Sequence, residues 1–367
     1  MTLKKLSRLA LALSVLTALP AFSDEDEQAI KAQFDYSFND ISDKIVTVSC
    51  SGPSGRSSGS GFVATLDGQT YLFTNQHVIL GADKITFKTA SGRLLRPRSV
   101  ELAASRDIVR LRLETTEGLP VSPSMEKDEY VGVFGNSEGG GVATELYGQV
   151  ANFTTDKVEV TADFVSGNSG SPVLNQDKEV IGIASYVSWK TDKDDNTVTR
   201  RFCYRLTDEL WGPVNWKKYN DKYGKLYREN EALIDSIFEA ATTWFGNPFS
   251  RMSFENHKDS GLRRWADEHN NMVSRIERTM DKRITQKELN NVNKQIRRDM
   301  QDSAEDLSDA CRNRARQMRF LASQKELSGF LQEAFERLAG RMEYAAGEIE
   351  EYGAKLAEHN YFYFKTE

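Results

Sequence analysis

The spacing of apolar residues changes near residue 210, and this change constrains the fold more than any other feature. From about residue 44 to 206, short runs of alternating apolar and polar residues are separated by Gly, Ser, Asp and Asn. From about residue 222 onward, apolar residues recur every three or four positions, and no proline follows Pro248. Alternation is typical of β-strands, and the longer spacing is typical of amphipathic helices. The sequence therefore predicts an α+β multidomain chain, with strands first and helices second.

The strand-rich part, residues 44–206, contains short apolar runs that fall into two sets of six. The first set is Lys44–Cys50, Gly59–Thr65, Thr70–Thr74, Lys84–Thr89, Leu94–Leu102 and Ile108–Leu113. The second set is Glu129–Phe134, Thr144–Phe153, Lys157–Phe164, Ser171–Leu174, Val180–Tyr186 and Arg200–Leu206. Many short strands joined by turns favour an antiparallel sandwich or barrel.

Two apolar stripes run along the helical part, residues 222–367. The first stripe is Met272, Ile276, Met280, Ile284, Leu289, Val292, Ile296, Met300, Leu307, Cys311 and Met318. The second is Phe330, Ala334, Leu338 and Ala345. They predict an all-α helical hairpin or small bundle; a coiled-coil dimer is the alternative, and packing within one chain is the favoured interpretation. Residues 207–221, with two tryptophans and Pro213, are predicted to form a junction.

The first 23 residues have the pattern of a secretory signal peptide. Basic residues (Lys4, Lys5 and Arg8) precede an apolar run from Leu9 to Leu19, and Ala21-Phe22-Ser23 offers a cleavage site. The apolar run is short for a transmembrane helix, although an uncleaved anchor is the alternative. We therefore expect a periplasmic or secreted bacterial protein without stable membrane insertion after cleavage. Residues 24–43 are expected to form an N-terminal helical segment.

The net charge limits the classes of binding partner, and the number of cysteines limits the disulfides that can form. Loss of the three basic signal residues would take the net charge from −6 to −9, which argues against nucleic acid as a partner. The three cysteines leave at least one thiol without an intramolecular disulfide. Cys50 and Cys203 both lie in the strand-rich part, so a disulfide between them stays open, whereas Cys311 lies in the helical part.

A serine between glycines carries the strongest chemical signal. The segment Gly167-Asn168-Ser169-Gly170-Ser171-Pro172 predicts a tight turn whose backbone N–H groups can point at one position. Upstream, His77 follows an apolar run that breaks into a short polar turn, and it is the single histidine among the first 256 residues. Asp107 immediately precedes the alternating run Ile108–Leu113.

The three segments together resemble trypsin-like serine peptidases of bacterial type. Thr74-Asn75-Gln76-His77 resembles the family's T-x-x-H, Asp107-Ile108-Val109-Arg110-Leu111 resembles D-I-A-x-L, and the serine turn resembles the nucleophile loop. The order His, Asp, Ser is that of the chymotrypsin type. The resemblance covers about 165 residues and implies a chymotrypsin-like double antiparallel β-barrel with the catalytic site between the barrels.

The resemblance also implies the role of each residue. Ser169 would be the nucleophile, His77 the base and Asp107 the residue that orients the histidine. The backbone N–H groups of Gly167 and Ser169 would form the oxyanion hole, and neither a metal nor an organic cofactor would be required. Asn168 stands where trypsin has the aspartate used in activation, so we expect an oxyanion hole that forms without a processing cut.

Four further positions are expected to contact the substrate. Ser185-Tyr186-Val187 matches the family's S-W-G edge strand, where a substrate backbone adds as an extra strand. Val187 replaces the usual glycine, which favours small substrate side chains, whereas Asp163, at the family's pocket floor, favours Lys or Arg. An alternative is that Asp163 points elsewhere and bonds a loop.

The leading hypothesis is a secreted or periplasmic serine endopeptidase acting on protein or peptide substrates through an acyl-enzyme. One alternative is a catalytically silent protease-fold protein whose helical domain, residues 222–367, binds a partner. Another is an esterase on the same fold. A homo-oligomer or a protein partner bound through the helices stays open. The acidic cluster Asp192, Asp194 and Asp195 is interpreted as a solvated hairpin tip, with a calcium site as the alternative.

Overall fold

The computed structural model describes residues 24–52, 55–114, 117–136, 144–191, 197–254, 259–280 and 285–358. The predicted signal peptide, the acidic cluster at 192–195, His257 and His359 lie outside these residues. Of the helices within them, none is long and apolar enough to cross a bilayer. The described residues divide into two compact units, one within 24–228 together with 328–331, the other within 229–327 and 332–358.

The first unit contains two sheets, and the first of them is nine-stranded. Its order is β15-β6-β7-β3-β2-β1-β4-β5, with β8 paired to β2. The strands are β1 (Ile45–Gly52), β2 (Gly55–Leu66), β3 (Gln69–Thr74), β4 (Lys84–Thr89), β5 (Leu94–Leu95), β6 (Val100–Ala103), β7 (Val109–Arg112), β8 (Leu119–Pro120) and β15 (Trp211–Val214). All neighbours pair antiparallel except β2 and β8.

The second sheet closes into a six-stranded barrel in the order β10-β11-β14-β13-β12-β9. Its strands are β9 (Tyr130–Gly135), β10 (Thr144–Phe153), β11 (Lys157–Val160), β12 (Pro172–Leu174), β13 (Val180–Thr191) and β14 (Thr197–Tyr204). The interior is filled by small and branched side chains such as Val133, Val158 and Ala184, all fully buried. Closure removes the unpaired edges that an open sheet would expose.

Short helices precede the strands and complete the core between the two sheets. They are α1 (Asp24–Lys31) and α2 (Phe38–Ile41). Between them Phe34 and Tyr36 belong to the cluster that also contains Phe62 of the first sheet and Phe134 of the barrel. Because one apolar cluster joins both sheets, the groups on their facing ends are held at fixed separations.

Long helices follow the strands. The chain forms α3 (Gln76–Ile79), α4 (Trp216–Tyr219), a π-helical turn (Asn220–Gly224), α5 (Lys225–Gly246), α6 (Ser260–Met280), α7 (Gln286–Ala322) and α8 (Gly329–Glu358). Stripe residues such as Met300, Leu307 and Met318 are fully buried in a single chain, as packing within one chain requires. Arg312 and Glu350 form a bidentate ion pair between α7 and α8.

The predicted fold class, two sets of antiparallel strands followed by helices, is confirmed. The second set closes into a barrel as expected, whereas the first set forms a nine-stranded sheet in place of the expected first barrel, and some details differ. The run Leu94–Leu102 is interrupted around Pro97, which has no N–H for the ladder. The predicted junction contributes β15, in which Pro213 is tolerated because β15 is an edge strand. Cys50 and Cys203 form no disulfide; each is a buried free thiol.

Candidate active site

His77 lies in the single turn α3, directly after β3 ends at Thr74. Its Nδ1 is 2.5 Å from Oδ2 of Asp107, and its backbone N–H donates to Oδ1 of the same carboxylate at 3.1 Å. A carboxylate only accepts, so Nδ1 carries the proton and Nε2 is the basic nitrogen. The side chain of His77 is 28% exposed and that of Asp107 only 6%, so the imidazole is the accessible partner of the pair.

Asp107 is held by groups from both sheets. Asn75 donates its side-chain amide to the backbone carbonyl of Asp107 at 2.7 Å, and the Ser185 hydroxyl donates to Oδ2 at 3.3 Å. The buried carboxylate thus accepts three hydrogen bonds, two from His77 and one from Ser185. Such saturation fixes its orientation and compensates for lost hydration.

Ser169 sits on a tight turn that is tied to both sheets. Gly167 and Gly170 flank it with φ values of +96° and +90°, a region that strongly favours glycine. The Ser60 N–H in β2 donates to the Ser169 carbonyl at 2.9 Å, and the Gly170 N–H donates to the Ala184 carbonyl in β13 at 2.8 Å. The Ser169 hydroxyl is partly exposed and lies 3.5 Å from the Ser185 carbonyl.

Two contacts bring the three predicted residues to one place. Ser185 contacts both Asp107 and Ser169: its hydroxyl donates to the Asp107 carboxylate, and its carbonyl faces the Ser169 hydroxyl. Gly59 in β2 lies between the other two elements: a Cβ there would be 2.7 Å from Val78 and 3.3 Å from the Ser169 carbonyl. His77, Asp107 and Ser169 therefore gather where the first sheet meets the barrel.

The predicted pocket acid, Asp163, is exposed and forms an ion pair with Arg201 of β14. Arg201 also donates from Nε to the Phe164 carbonyl at 3.1 Å. Val187 stands opposite Arg201 in the β13–β14 ladder and packs against the barrel core. The Asp163 carboxylate is therefore paired with a cation of the same barrel, and its expected contact with a Lys or Arg side chain of the substrate stays a prediction.

The other two predicted substrate contacts have different surroundings. Ser185 is buried, and its hydroxyl is used on Asp107. Tyr186 is 36% exposed and stacks on Phe202 with ring centroids 5.1 Å apart. Of the two, Tyr186 is the side chain that solvent, and hence a substrate, can reach.

Sequence reasoning missed the residues that hold the site. Ser60, Asn75 and Arg201 are common polar residues whose partners lie far along the chain, so no local motif distinguishes them. Of the three, only Arg201 could have been located from the sequence. Pairing the predicted strands 180–186 and 200–206 as a hairpin would place Arg201 near Val187.

Among the described residues, the cysteines are buried and no cluster of metal-binding side chains occurs. Burial raises the pKa of the Cys50 thiol to about 11 and that of Cys203 higher still, which suppresses the reactive thiolate. No group of three or more His, Cys, Asp or Glu side chains within the described ranges could hold a metal ion.

Residues 59–183 match the family model of the trypsin-like peptidase domain, a range that includes His77, Asp107 and Ser169. A probable periplasmic serine endoprotease DegP-like of Halomonas elongata is 32% identical over 146 residues, covering 36% of this chain and 30% of that protein. Serine protease HTRA4 of Mus musculus is 30% identical over 143 residues, covering 35% and 29%. The resemblance to trypsin-like serine peptidases is confirmed for this segment, which spans about 30% of the length of these relatives.

Solved structures of serine proteases also align with the chain. The serine endoprotease from Yersinia pestis aligns with a TM-score of 0.36 and 23% identity, over 46% of this chain and 62% of that chain. The active form of the Rv3671c protease from M. tuberculosis aligns with a TM-score of 0.39 and 17% identity, over 53% and 88%.

Proposed function

We propose that the protein is a serine endopeptidase that cleaves protein or peptide substrates through an acyl-enzyme. The observation that carries the proposal is the convergence of His77, Asp107 and Ser169 around Ser185. The imidazole carries its proton on the nitrogen that faces Asp107, which leaves the other nitrogen as a base. The match of residues 59–183 to a trypsin-like peptidase domain supports the same reaction class.

The reaction follows from these positions. Ser169 Oγ attacks the peptide carbonyl while Nε2 of His77 takes its proton, and the same proton then passes to the leaving amine. Asp107 orients the imidazole and stabilises its cation. Water, deprotonated by His77, then hydrolyses the ester formed on Ser169.

The backbone N–H groups of Gly167 and Ser169 are the proposed oxyanion donors. The positive φ of Gly167 supports this role, because it is a conformation in which a glycine can place backbone N–H groups where a residue with a side chain would be strained. A donor of this type contributes about 2.7–4 kcal/mol to transition-state stabilisation. Asn168 holds the loop by accepting the Val165 N–H on its side chain at 3.1 Å, a bond that needs no new N-terminus.

A small uncharged side chain is the proposed residue on the acyl side of the cleaved bond. Val187 fills space that a glycine would leave open, and Asp163 is neutralised by Arg201. Tyr186, exposed on β13, would pair its strand with the substrate backbone.

We infer a periplasmic location, because residues 1–23 have the signal-peptide pattern and relatives such as that of Halomonas elongata are named periplasmic. The helical unit is proposed as the site of self-association or of a protein partner. The rival function is a silent protease fold in which the helices are the working part.

Labelling with a fluorophosphonate separates these functions. The folded wild-type protein should react, Ser169→Ala should not, and Ser166→Ala, an exposed serine of the same loop, should react like the wild type. Absence of label on folded wild-type protein would support the silent fold. Digestion of casein compared with turnover of a simple ester separates a peptidase from an esterase.

A further inference from the structure

Residues 76–82, the turn that carries His77, are bonded by two segments that lie beyond the trypsin-like sheets in sequence. The first segment is 219–228, and the second is Ser328–Leu331, which belongs to the same compact unit although it follows about a hundred residues of helix. Both segments reach backbone or side-chain groups within six residues of the base.

Asn220 is the first of these groups. It is 4% exposed, accepts the Gly81 N–H on Oδ1 at 2.6 Å and donates from Nδ2 to the Ala82 carbonyl at 2.8 Å. Its side chain thus supplies the hydrogen-bond partners that the Gly81 N–H and the Ala82 carbonyl would have from a neighbouring backbone in a sheet. Asn220 lies in a π-helical turn, an irregularity that recurs at functional sites.

Arg228 makes the contact nearest to the base. Its guanidinium donates from Nη2 to the backbone carbonyl of His77 itself and from Nε to the Leu80 carbonyl at 3.1 Å. Gly81, with φ +77°, permits the close approach, because a Cβ there would overlap the Arg228 side chain and lie 3.1 Å from the Gly224 carbonyl. Charge-assisted donation to two carbonyls from one planar fork fixes their relative orientation.

Ser328 holds the opposite end of the turn. Its hydroxyl donates to Oε1 of Gln76 at 2.7 Å, and the amide of fully buried Gln76 donates in turn to the carbonyls of Arg106 and Ile108 at 2.9 and 3.2 Å. These two residues flank Asp107. One chain of hydrogen bonds therefore runs from Ser328, at the N-terminal end of α8, to Gln76 beside His77 and to both neighbours of Asp107.

We propose that Arg228, assisted by Asn220 and Ser328, is a positioning residue for His77, so that the catalytic unit includes 219–228 and 328–331. The inference rests on the proposed serine peptidase function. Arg228 acts on the backbone of the base, where it contacts neither substrate nor the reacting atoms. Its loss lets the imidazole drift from the serine while the substrate groove stays as it was.

The full-length protein tests this through the fluorophosphonate reaction, resolved into the maximal rate kinact and the half-saturating concentration KI. Arg228→Met should lower kinact about tenfold or more and leave KI within about twofold, because a displacement near 1 Å costs up to about a hundredfold in rate. Arg228→Lys should recover part of the rate, since an ammonium group can still donate to the His77 carbonyl. The matched control is Arg205→Met, which removes a half-buried guanidinium that donates to the Pro123 carbonyl at 2.7 Å.

Each outcome decides. Wild-type kinact in folded Arg228→Met, an equal loss in Arg205→Met, or no recovery in Arg228→Lys would overturn the positioning role alone. If Arg228→Met does not fold, Ser328→Ala decides: about a threefold fall in kinact at unchanged KI supports the inference, and an unchanged rate overturns it. Folded wild-type protein that takes no label overturns the proposed function and this inference together.

Discussion

Gly170→Ala should lower both the free energy of unfolding and the rate at which Ser169 is labelled, and a control variant separates the two effects. At φ +90° a residue with a Cβ is strained, which costs on the order of 1–3 kcal/mol. The added Cβ would also lie 2.7 Å from Thr74 Oγ1 and would overlap the Ser60 carbonyl, whereas real Cβ atoms stay at 3.0 Å or beyond. Overpacking of this kind adds about 1–3 kcal/mol, so we expect a total loss of about 2–6 kcal/mol in the free energy of unfolding.

The same overlap gives the expected effect on reactivity. Clearing Ser60 requires the turn to retreat by about 1 Å, and such a displacement of a nucleophile costs up to about a hundredfold in rate. The assay is the kinact of fluorophosphonate labelling at a temperature where urea unfolding shows the variant to be native.

Gly92→Ala is the matched control. Gly92 has φ +99°, but a Cβ there would meet nothing within 4 Å, so it carries the backbone strain without the overlap. It should lose about 1–3 kcal/mol of stability and none of its labelling rate. Folded Gly170→Ala that labels as fast as the wild type would refute the link between the Ser60 contact and the position of Ser169.

Three further outcomes follow from the site. Ser185→Ala removes one of the three donors to Asp107, so kcat on a cleavable peptide should fall about tenfold with KM within about twofold; an equal change in both constants would contradict this. Asp163→Asn leaves the Arg201 cation without its carboxylate, so cleavage profiling should show a gain for substrates with Asp or Glu on the acyl side; a loss of Lys and Arg substrates would instead restore Asp163 as the pocket acid. In the folded protein Cys50 and Cys203 should resist iodoacetamide at pH 8, since burial raises the pKa of both thiols, and both should react in urea; rapid alkylation of the native protein, read by mass spectrometry, would contradict their burial.

The bounds of the strands could be predicted where the local sequence pattern marks them. The prediction was wrong where a strand's position in the assembled sheet, and not its sequence pattern, decides its length or existence. Lys84–Thr89, in which apolar and polar residues alternate, matches its predicted bounds. Thr144–Phe153 also matches, because turn-forming residues precede and follow it in the sequence. β13 continues to Thr191, beyond the predicted end at Tyr186, because its hairpin partner β14 pairs with it to Thr197. Trp211–Val214 was missed because a proline argues against a strand unless the strand lies at an edge, and edge position is a property of the assembled sheet.

The residues proposed to react and the residues that hold them differ in how far the sequence reveals them. His77 stands out because no other histidine occurs in the strand-rich part, and Ser169 because Gly167 and Gly170 lie on either side of it in the sequence. The residues that position them are common polar residues far away along the chain. Ser185, which bonds Asp107, is 78 residues from it, and Ser328, which bonds Gln76, is 252 residues from it. Their contacts depend on how two sheets and the starts of two helices meet, which no local pattern encodes. For this reason a boundary drawn by strand pattern ends the strand-rich part at residue 206, whereas the compact unit that contains His77 extends to Arg228 and includes Ser328–Leu331.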